Sequence, residues 1–380
     1  MRFSGFDDEW IIKKLNDVSD VNPKTRELPE KFVYIDLDSV NHGILTKFNQ
    51  ITKNEAPSRA QRCLNVNDIL FQTVRPYQMN NLFFELYDGE YVASTGYAQI
   101  KSKIVPKFLY YYLHYNKFVN EVLNRCTGTS YPAINSNDLK KIKIKIPSSS
   151  NEQRLIGDLF YKLDQKIELL KDKYNYYQDF KKFLMQQIFT QKLRFNFTDD
   201  WNYMNFSEIF KSVSTKKYQI KSADILDKGD FEVIDQGQDE IAGYFNDKTK
   251  LCQELPIIIY GDHTTFVKFR DKPFIVGADG VKLLIPKFNA NPKYLFYALE
   301  HFNIKPEGYK RHFSIIKKIK LPIPTLEEQN EISEIFTYID IKLKYTKIQL
   351  QETEEFKKGL LQQMFVVQLI LSLLQNKKHI

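Results

Sequence analysis

Cysteine is scarce in this sequence. Cys63, Cys126 and Cys252 stand alone among 380 residues. No C-x-x-C pair occurs, so neither a zinc site nor a disulfide framework is supported. A reducing compartment, the cytoplasm, is the expected location. Histidine is nearly as sparse, with six residues. His263 and His312 have no third ligand nearby, and no metal is expected. Long apolar runs are missing as well. The most apolar stretch, Leu360 to Leu374, is interrupted by Gln362, Gln363, Gln368 and Ser372. It falls short of the roughly 18 clean residues that a membrane span needs. It reads as the end of a packed helix, and no membrane association is expected. Met1 to Glu9 lack a basic segment followed by an apolar one, and do not read as a signal peptide.

The signatures of catalysis are absent too. There is no G-x-x-x-x-G-K-S/T loop, no G-x-G-x-x-G after a strand, and no Asn/Asp-Pro-Pro-Tyr tetrapeptide. Glu355-Phe356-Lys357 is the only Glu-x-Lys, and it falls in a helical segment where a solvated face is the simpler reading. Gly261-Asp262-His263 suggests a general base, but no nucleophile accompanies it; a turn or a nucleic-acid contact is simpler. No catalytic residue and no cofactor are expected.

What is present is a repeat. Lys140-Lys141-Ile142-Lys143, Ile146-Pro147 and Glu152-Gln153 recur as Lys317-Lys318-Ile319-Lys320, Ile323-Pro324 and Glu328-Gln329. From the Glu-Gln pair onward the offset is a constant 176 residues. Asp164, Phe180-Lys181-Lys182, Gln186-Gln187 and Phe189 return as Asp340, Phe356-Lys357-Lys358, Gln362-Gln363 and Phe365. Fainter echoes link Arg2-Phe3 and Trp10 to Arg194-Phe195 and Trp201, and Pro106 to Tyr111 to Pro292 to Tyr297. A repeat this long means duplicated domains.

The repeated block is helical. Ile156, Phe160, Leu163, Ile167, Leu170, Tyr174 and Tyr177 step by four and three, a heptad seam that continues through Phe180, Leu184 and Ile188 after a one-residue phase slip. Ile332, Phe336, Ile339, Leu343, Thr346, Leu350 and Thr353 repeat it, followed by Phe356, Leu360 and Met364. Neither Ser148 to Lys192 nor Thr325 to Ile380 contains proline. Ser149 or Ser150 and Thr325 are the expected N-caps, with carboxylates in the first turn. About 40 residues make a rod of roughly 60 Å, and two such helices in one chain pair most simply with each other, antiparallel. The expected division is 1–147, 148–192, 193–324 and 325–380: domain, helix, domain, helix plus tail. The repeat is exhausted at Phe365, so Val366 to Ile380 has no counterpart.

The fold class is α/β (α+β). In the first domain strands are expected at Phe32 to Leu37, Asp68 to Val74, Tyr91 to Ala93 and Leu139 to Ile146, with a helix from Pro106 to Tyr115. In the second, strands are expected at Phe231 to Ile234, Pro256 to Tyr260, Thr265 to Phe269, Phe274 to Val276 and Val281 to Ile285, with a helix from Pro292 to Phe302.

Fifty-five Lys and Arg against 47 Asp and Glu leave a net charge of +8, a mild bias toward a polyanion. The loops carry residue types that read base edges and phosphates. The first domain offers Arg59, Gln61, Arg62, Arg75, Gln78, Asn80, Asn81, Thr127, Thr129, Ser130 and Tyr131. The second offers Gln236, Gln238, His263, Thr264, Thr265, Tyr309, Lys310, Arg311 and His312. The bland alternative is that these are solvated loop residues.

The duplicated order of basic strand, Ile-Pro, Glu-Gln, long heptad helix and Gln-Gln-hydrophobic-Phe resembles the specificity (S) subunit of type I restriction-modification systems. The residues are Ile146-Pro147, Glu152-Gln153 and Gln186-Gln187-Ile188-Phe189, then Ile323-Pro324, Glu328-Gln329 and Gln362-Gln363-Met364-Phe365. The resemblance implies two target recognition domains, each reading half of a bipartite site in double-stranded DNA. It also implies paired helices that fix the spacer, and an internal pseudo-twofold repeat. The implied partners are two methyltransferase (M) subunits, which bring S-adenosylmethionine, and restriction (R) subunits. The rival reading is a coiled-coil scaffold joining two protein-binding domains.

Overall fold

Two uninterrupted helices dominate the secondary structure, Ser150–Phe189 and Leu326–Val366, of 40 and 41 residues. Freedom from proline lets each run about 11 turns. Their starts are capped alike. The Glu152 N–H donates to Ser149 Oγ at 3.4 Å and the Glu328 N–H to Thr325 Oγ1 at 3.3 Å. The computed structural model describes residues 2–308 and 310–366. Most of the apolar tail beyond Phe365 therefore lies outside the described residues. Among the described residues, no helix is long and apolar enough to cross a membrane.

The chain divides into two units, Met1–Lys171 with the chain from Ile348 onward, and Asp172–Lys347. The first unit has two four-stranded sheets. One runs Asn49–Thr52, Lys31–Ile35, Tyr91–Ser94, Ala60–Cys63; the other runs Ser19–Val21, Tyr97–Ser102, Ile69–Gln72, Leu82–Phe83. A separate antiparallel pair joins Ile11–Lys14 to Lys143–Ile146, with Ile11 opposite Ile146. The core gathers Trp10, Phe108, Tyr112, Phe160 and Phe365.

The second unit repeats the two four-stranded sheets and the antiparallel pair. Its sheets run Gln219–Ile220, Ile275–Gly277, Phe231–Ile234, Gly243–Phe245 and Phe210–Val213, Val281–Pro286, Ile257–Gly261, Val267–Arg270. Asn202–Asn205 pairs with Lys320–Ile323. Its core gathers Phe189, Trp201, Tyr294, Tyr297 and Phe336. One edge differs. Ala60–Cys63 lies antiparallel to Tyr91–Ser94, whereas Gln219–Ile220 runs parallel to Ile275–Gly277 and precedes the other strands of its sheet in the chain.

The echoed motifs are the joints that hold helix to domain. Arg2 grips the buried Glu152 carboxylate through Nε at 2.7 Å and Nη2 at 2.8 Å, and Trp10 Nε1 donates to it at 3.3 Å. In the second unit Arg194 grips Glu328 at 3.1 and 2.7 Å, and Trp201 Nε1 donates at 3.0 Å. A buried carboxylate is tolerated when its lone pairs are met in this way. The hydrogen bond to Glu152 also raises the affinity of Arg2 for its proton, against the opposing effect of burial. The adjoining glutamines bridge two chain segments each. Gln153 donates to the Pro147 carbonyl and accepts from the Val105 N–H, and Gln329 does the same with Pro324 and Asn291.

Several expectations need correction. Leu139 to Lys141 are helical, in Ser136–Lys141, and only Lys143–Ile146 is strand. The Asn135 side chain caps that helix by accepting from the Asp138 N–H, and Lys140 and Lys141 suit its C-terminus. The helix from Pro106 stops at Tyr112, and a second one, Asn116–Leu123, follows. The strand expected from Thr265 begins at Val267, because Thr265 takes a left-handed φ of 61°. Along the long helices, Ile156, Phe160, Ile167, Leu170, Ile332, Phe336 and Ile339 are buried, and Leu163, Leu343 and Leu350 half-buried. Phe180 and Phe356 depart from the expected seam, being 37% and 58% exposed.

Candidate nucleic-acid interface

In each unit three connections meet at the end of one strand. In the first unit the strand is Ile69–Gln72, whose Gln72 lies opposite Tyr97. The next residue, Thr73, donates its N–H to the Gly96 carbonyl at 3.0 Å, and its own carbonyl accepts from the Ile134 N–H at 3.0 Å. The hairpin 94–97 and the loop 127–135 are thus clasped to the strand end. In the second unit Gly261 lies opposite Val281. Asp262 donates its N–H to the Gly280 carbonyl at 2.7 Å, and its carbonyl accepts from the His312 N–H at 2.7 Å. The main chain builds the same junction twice.

The side chains at the two junctions differ. In the first unit Leu37, Arg59, Val74, Arg75, Thr95, Gly96 and Tyr131 line a cavity of about 460 Å³. The Arg75 guanidinium lies over the Tyr131 ring, 5.0 Å from its centroid. Arg59 is held beside the hairpin, its carbonyl accepting from the Thr95 N–H. Thr127 exchanges backbone bonds with Ala133, which presents Thr129, Ser130 and Tyr131 as an exposed tip. Gln78 and Asn80 lie at the same strand end, where the Gln72 side chain donates to Gln78 and accepts from the Asn80 N–H. Arg62 is half-buried, and burial lowers its affinity for its proton. Gln61 turns back onto the Ser58 carbonyl, and the Asn81 side chain is buried against Gln72 and His114.

In the second unit Gln236 ties the junction together. Its Nε2 donates to the Asp279 carbonyl, its Oε1 accepts from the His263 N–H, and its own carbonyl accepts from the Thr264 hydroxyl. Thr265 is buried, and its carbonyl accepts from Asn303. His312 is fully buried: its Nε2 accepts from the Glu307 N–H, and Nδ1 faces the Asp262 carbonyl. Gln238, Lys310 and Arg311 are exposed, with Lys310 paired to Glu307, and Tyr309 lies outside the described residues. Lys268 is buried beneath the loop and donates to the Asp235 and Asp239 carbonyls; burial lowers its affinity for its proton. Asp262, which had suggested a general base, is 2% exposed and engaged by the Phe313 N–H at 2.8 Å and Lys282 at 3.5 Å. It organises the loop. No group of three metal-ligating side chains occurs among the described residues.

A model described as the type I restriction modification DNA specificity domain matches residues 7–176 and 198–355. The chain belongs to this family. Two relatives illustrate the similarity. The type I restriction enzyme HindI specificity subunit of Haemophilus influenzae is 27% identical over 175 residues, which is 42% of this chain and 36% of that one. The chain thus spans about a third of that subunit's length. The putative type I restriction enzyme MjaX specificity subunit of Methanocaldococcus jannaschii is 23% identical over 398 residues, covering 93% of this chain and 92% of that one. The crystal structure of a type I restriction-modification S subunit from M. genitalium shares the fold, with a TM-score of 0.68 and 18% identity over 96% of this chain and 97% of that one. Both relatives are named as specificity subunits, and the two matched segments of this chain are DNA specificity domains.

Leu37 and Gln236 each stand two residues beyond the end of a sheet strand, and each packs against the hairpin glycine, Gly96 or Gly280. Gln236 was named from the sequence as a loop residue; Leu37, Thr73, Thr95 and Asp235, which shape the junctions with it, were overlooked. No loop composition marks those four, because their role depends on three distant segments meeting.

Proposed function

We propose that the chain is the specificity subunit of a type I restriction-modification complex and reads an asymmetric, bipartite site in duplex DNA. The observation that carries this reading is the pair of junctions. Their main-chain geometry is shared, while one presents arginines and an exposed tyrosine and the other a glutamine-tied loop cluster. Two equivalent platforms with unlike side chains suit two half-sites of unlike sequence.

In this reading the long helices form an antiparallel coiled coil related by a pseudo-twofold axis, hold the two domains at a set separation and fix the unread spacer. The M subunits dock on helix faces that keep apolar side chains in solvent. Tyr176, Phe183, Tyr338, Ile341 and Tyr345 are each more than half exposed, and stripes of this kind mark interaction surfaces. R subunits complete the complex in the cytoplasm. Support for such an assembly comes from a solved structure of a type I restriction-modification system, with a TM-score of 0.54 and 20% identity over 96% of this chain.

The test is to express the chain with its M subunit in a methylation-free host and read the methylated motif by single-molecule sequencing. A two-part motif with a fixed gap is expected. Purified S and M that bind DNA without sequence preference would overturn the reading and favour a protein scaffold.

A further inference from the structure

The cavity of the first unit has a more specific use. We infer that Arg75, stacked on Tyr131, reads a guanine in the half-site bound by the first domain. This rests on the DNA-specificity reading above and assigns one of its base contacts.

Three observations converge. First, the Arg75 backbone is held in an uncommon conformation. Its φ is 53°, its N–H donates to the Pro132 carbonyl at 2.8 Å, and its carbonyl accepts from the Gln78 N–H at 3.0 Å. A non-glycine residue in the left-handed region is strained, and such strain gathers at functional sites. The clasp fixes the direction in which the side chain leaves the main chain. Second, the guanidinium face is spent on the Tyr131 ring, which leaves the N–H edge as the group that can meet a ligand. Nε is buried with no hydrogen-bond partner among the described residues, and no carboxylate lines the cavity. Third, the lining combines Leu37, Val74 and the Tyr131 ring with Arg59 and Thr95. A base offers acceptors to the arginine and a flat apolar face to the other walls, which a phosphate does not. A planar pair of donors facing paired acceptors is the arrangement that reads O6 and N7 of guanine in the major groove.

Among the described residues, the junction of the second unit shows no arginine stacked on an aromatic ring. The residue that follows its strand end at the position of Arg75 is Thr264, whose hydroxyl is bound to the Gln236 carbonyl. Guanine reading through a stacked arginine is therefore assigned to the first half-site.

The experiment uses the S–M complex and duplex oligonucleotides carrying its methylated motif. Each guanine of the first half-site is replaced in turn by 7-deazaguanine, which lacks the N7 acceptor, and by adenine with its partner. For one guanine, the wild-type complex should lose roughly tenfold to a hundredfold in affinity with either change. Arg75→Ala should bind the parent duplex more weakly and be indifferent at that position. Arg75→Lys should keep overall affinity better than Arg75→Ala but lose most of the discrimination, and Tyr131→Leu should lose it too, while Tyr131→Phe keeps it. Discrimination at the second half-site should be unchanged in every variant, which shows that the variants are folded. A first half-site without guanine on either strand would overturn the inference. So would an Arg75→Lys complex that discriminates like wild type, or a loss in Arg75→Ala that is uniform over all sequences and marks a phosphate contact. A wild-type complex with no sequence preference would instead defeat the DNA-specificity reading itself.

Discussion

Lys181 Nζ lies 2.9 Å from Asp340 Oδ1, and the residues 176 positions away from each, Lys357 and Asp164, form the corresponding pair in the first unit. Each aspartate also accepts a tyrosine hydroxyl, Tyr297 for Asp340 and Tyr111 for Asp164, both at 2.7 Å. Burial works against the charge on Lys181, but Glu300 and Asp340 outweigh it and raise its affinity for its proton. Both aspartates are more than a third exposed, and Lys181 keeps Glu300 at 3.2 Å when Asp340 is neutralised. Asp340→Asn is expected to cost about 1 kcal/mol, and Asp164→Asn a similar amount. Urea denaturation followed by circular dichroism measures both; a loss below about 0.5 kcal/mol would reduce the pair to an ordinary surface contact.

Two glycines in long helices should respond to alanine with opposite signs. A Cβ at Gly157 would stand 2.8 Å from the Phe108 N and 2.9 Å from the Lys107 Cβ, where the helix crosses the start of Pro106–Tyr112. Gly157→Ala should destabilise by about 1–3 kcal/mol through overpacking. Gly359 has nothing within 4 Å, so Gly359→Ala should stabilise by about 0.5–1 kcal/mol through helix propensity alone. Melting temperatures of the two variants against wild type decide the matter.

His114 gives the first unit a pH dependence. Burial pushes its pKa down to about 4, and it sits with Nδ1 at 2.9 Å from the Tyr110 carbonyl and Nε2 at 3.3 Å from the Asn81 amide nitrogen. The unfolded chain takes up the proton near pH 6.5, above the folded value, so this group's stabilisation is complete above that pH and is lost as pH falls toward 4. Comparing wild type with His114→Gln isolates the effect. The gap in stability should narrow or reverse between pH 7 and pH 4.5, and a pH-independent gap would contradict the assignment.

If the helices act as a ruler, lengthening them should move the half-sites apart without changing either. Four residues inserted after Lys171 and four after Lys347 add about 6 Å of helix, close to two base-pair rises of 3.4 Å. The methylated motif should keep both half-sites and gain about two unread positions. Altered half-sites, with the gap unchanged, would refute the ruler.

The long helices were legible because heptad spacing and the absence of proline are local signals, and the strand segments for the same reason. Phe180 and Phe356 face outward because they stand one residue short of the heptad step from Tyr177 and Thr353, where Lys181 and Lys357 reach the other helix instead. The helix Ser136–Lys141 was hidden because Leu139, Ile142, Ile144 and Ile146 look like a strand until the Asn135 cap is weighed. The junction was beyond sequence reasoning. Arg75 and Tyr131 each appeared as loop residues, but nothing in either loop tells that they meet, or that Leu37 walls them in. Contacts set by backbone clasps between distant segments leave no periodicity.

The clasps at Thr73 and Asp262 have a consequence of their own. They are made by peptide groups, which every residue but proline can supply as donor and every residue as acceptor. The main-chain part of each junction is therefore independent of side-chain identity, while Thr73, Gln236 and Asp262 add side-chain bonds to it. Exchanging Leu37, Arg59, Arg75 and Tyr131 for residues other than proline removes none of the backbone bonds at Thr73. On the function proposed above, a new DNA preference then needs only a handful of substitutions within one set of anchored loops.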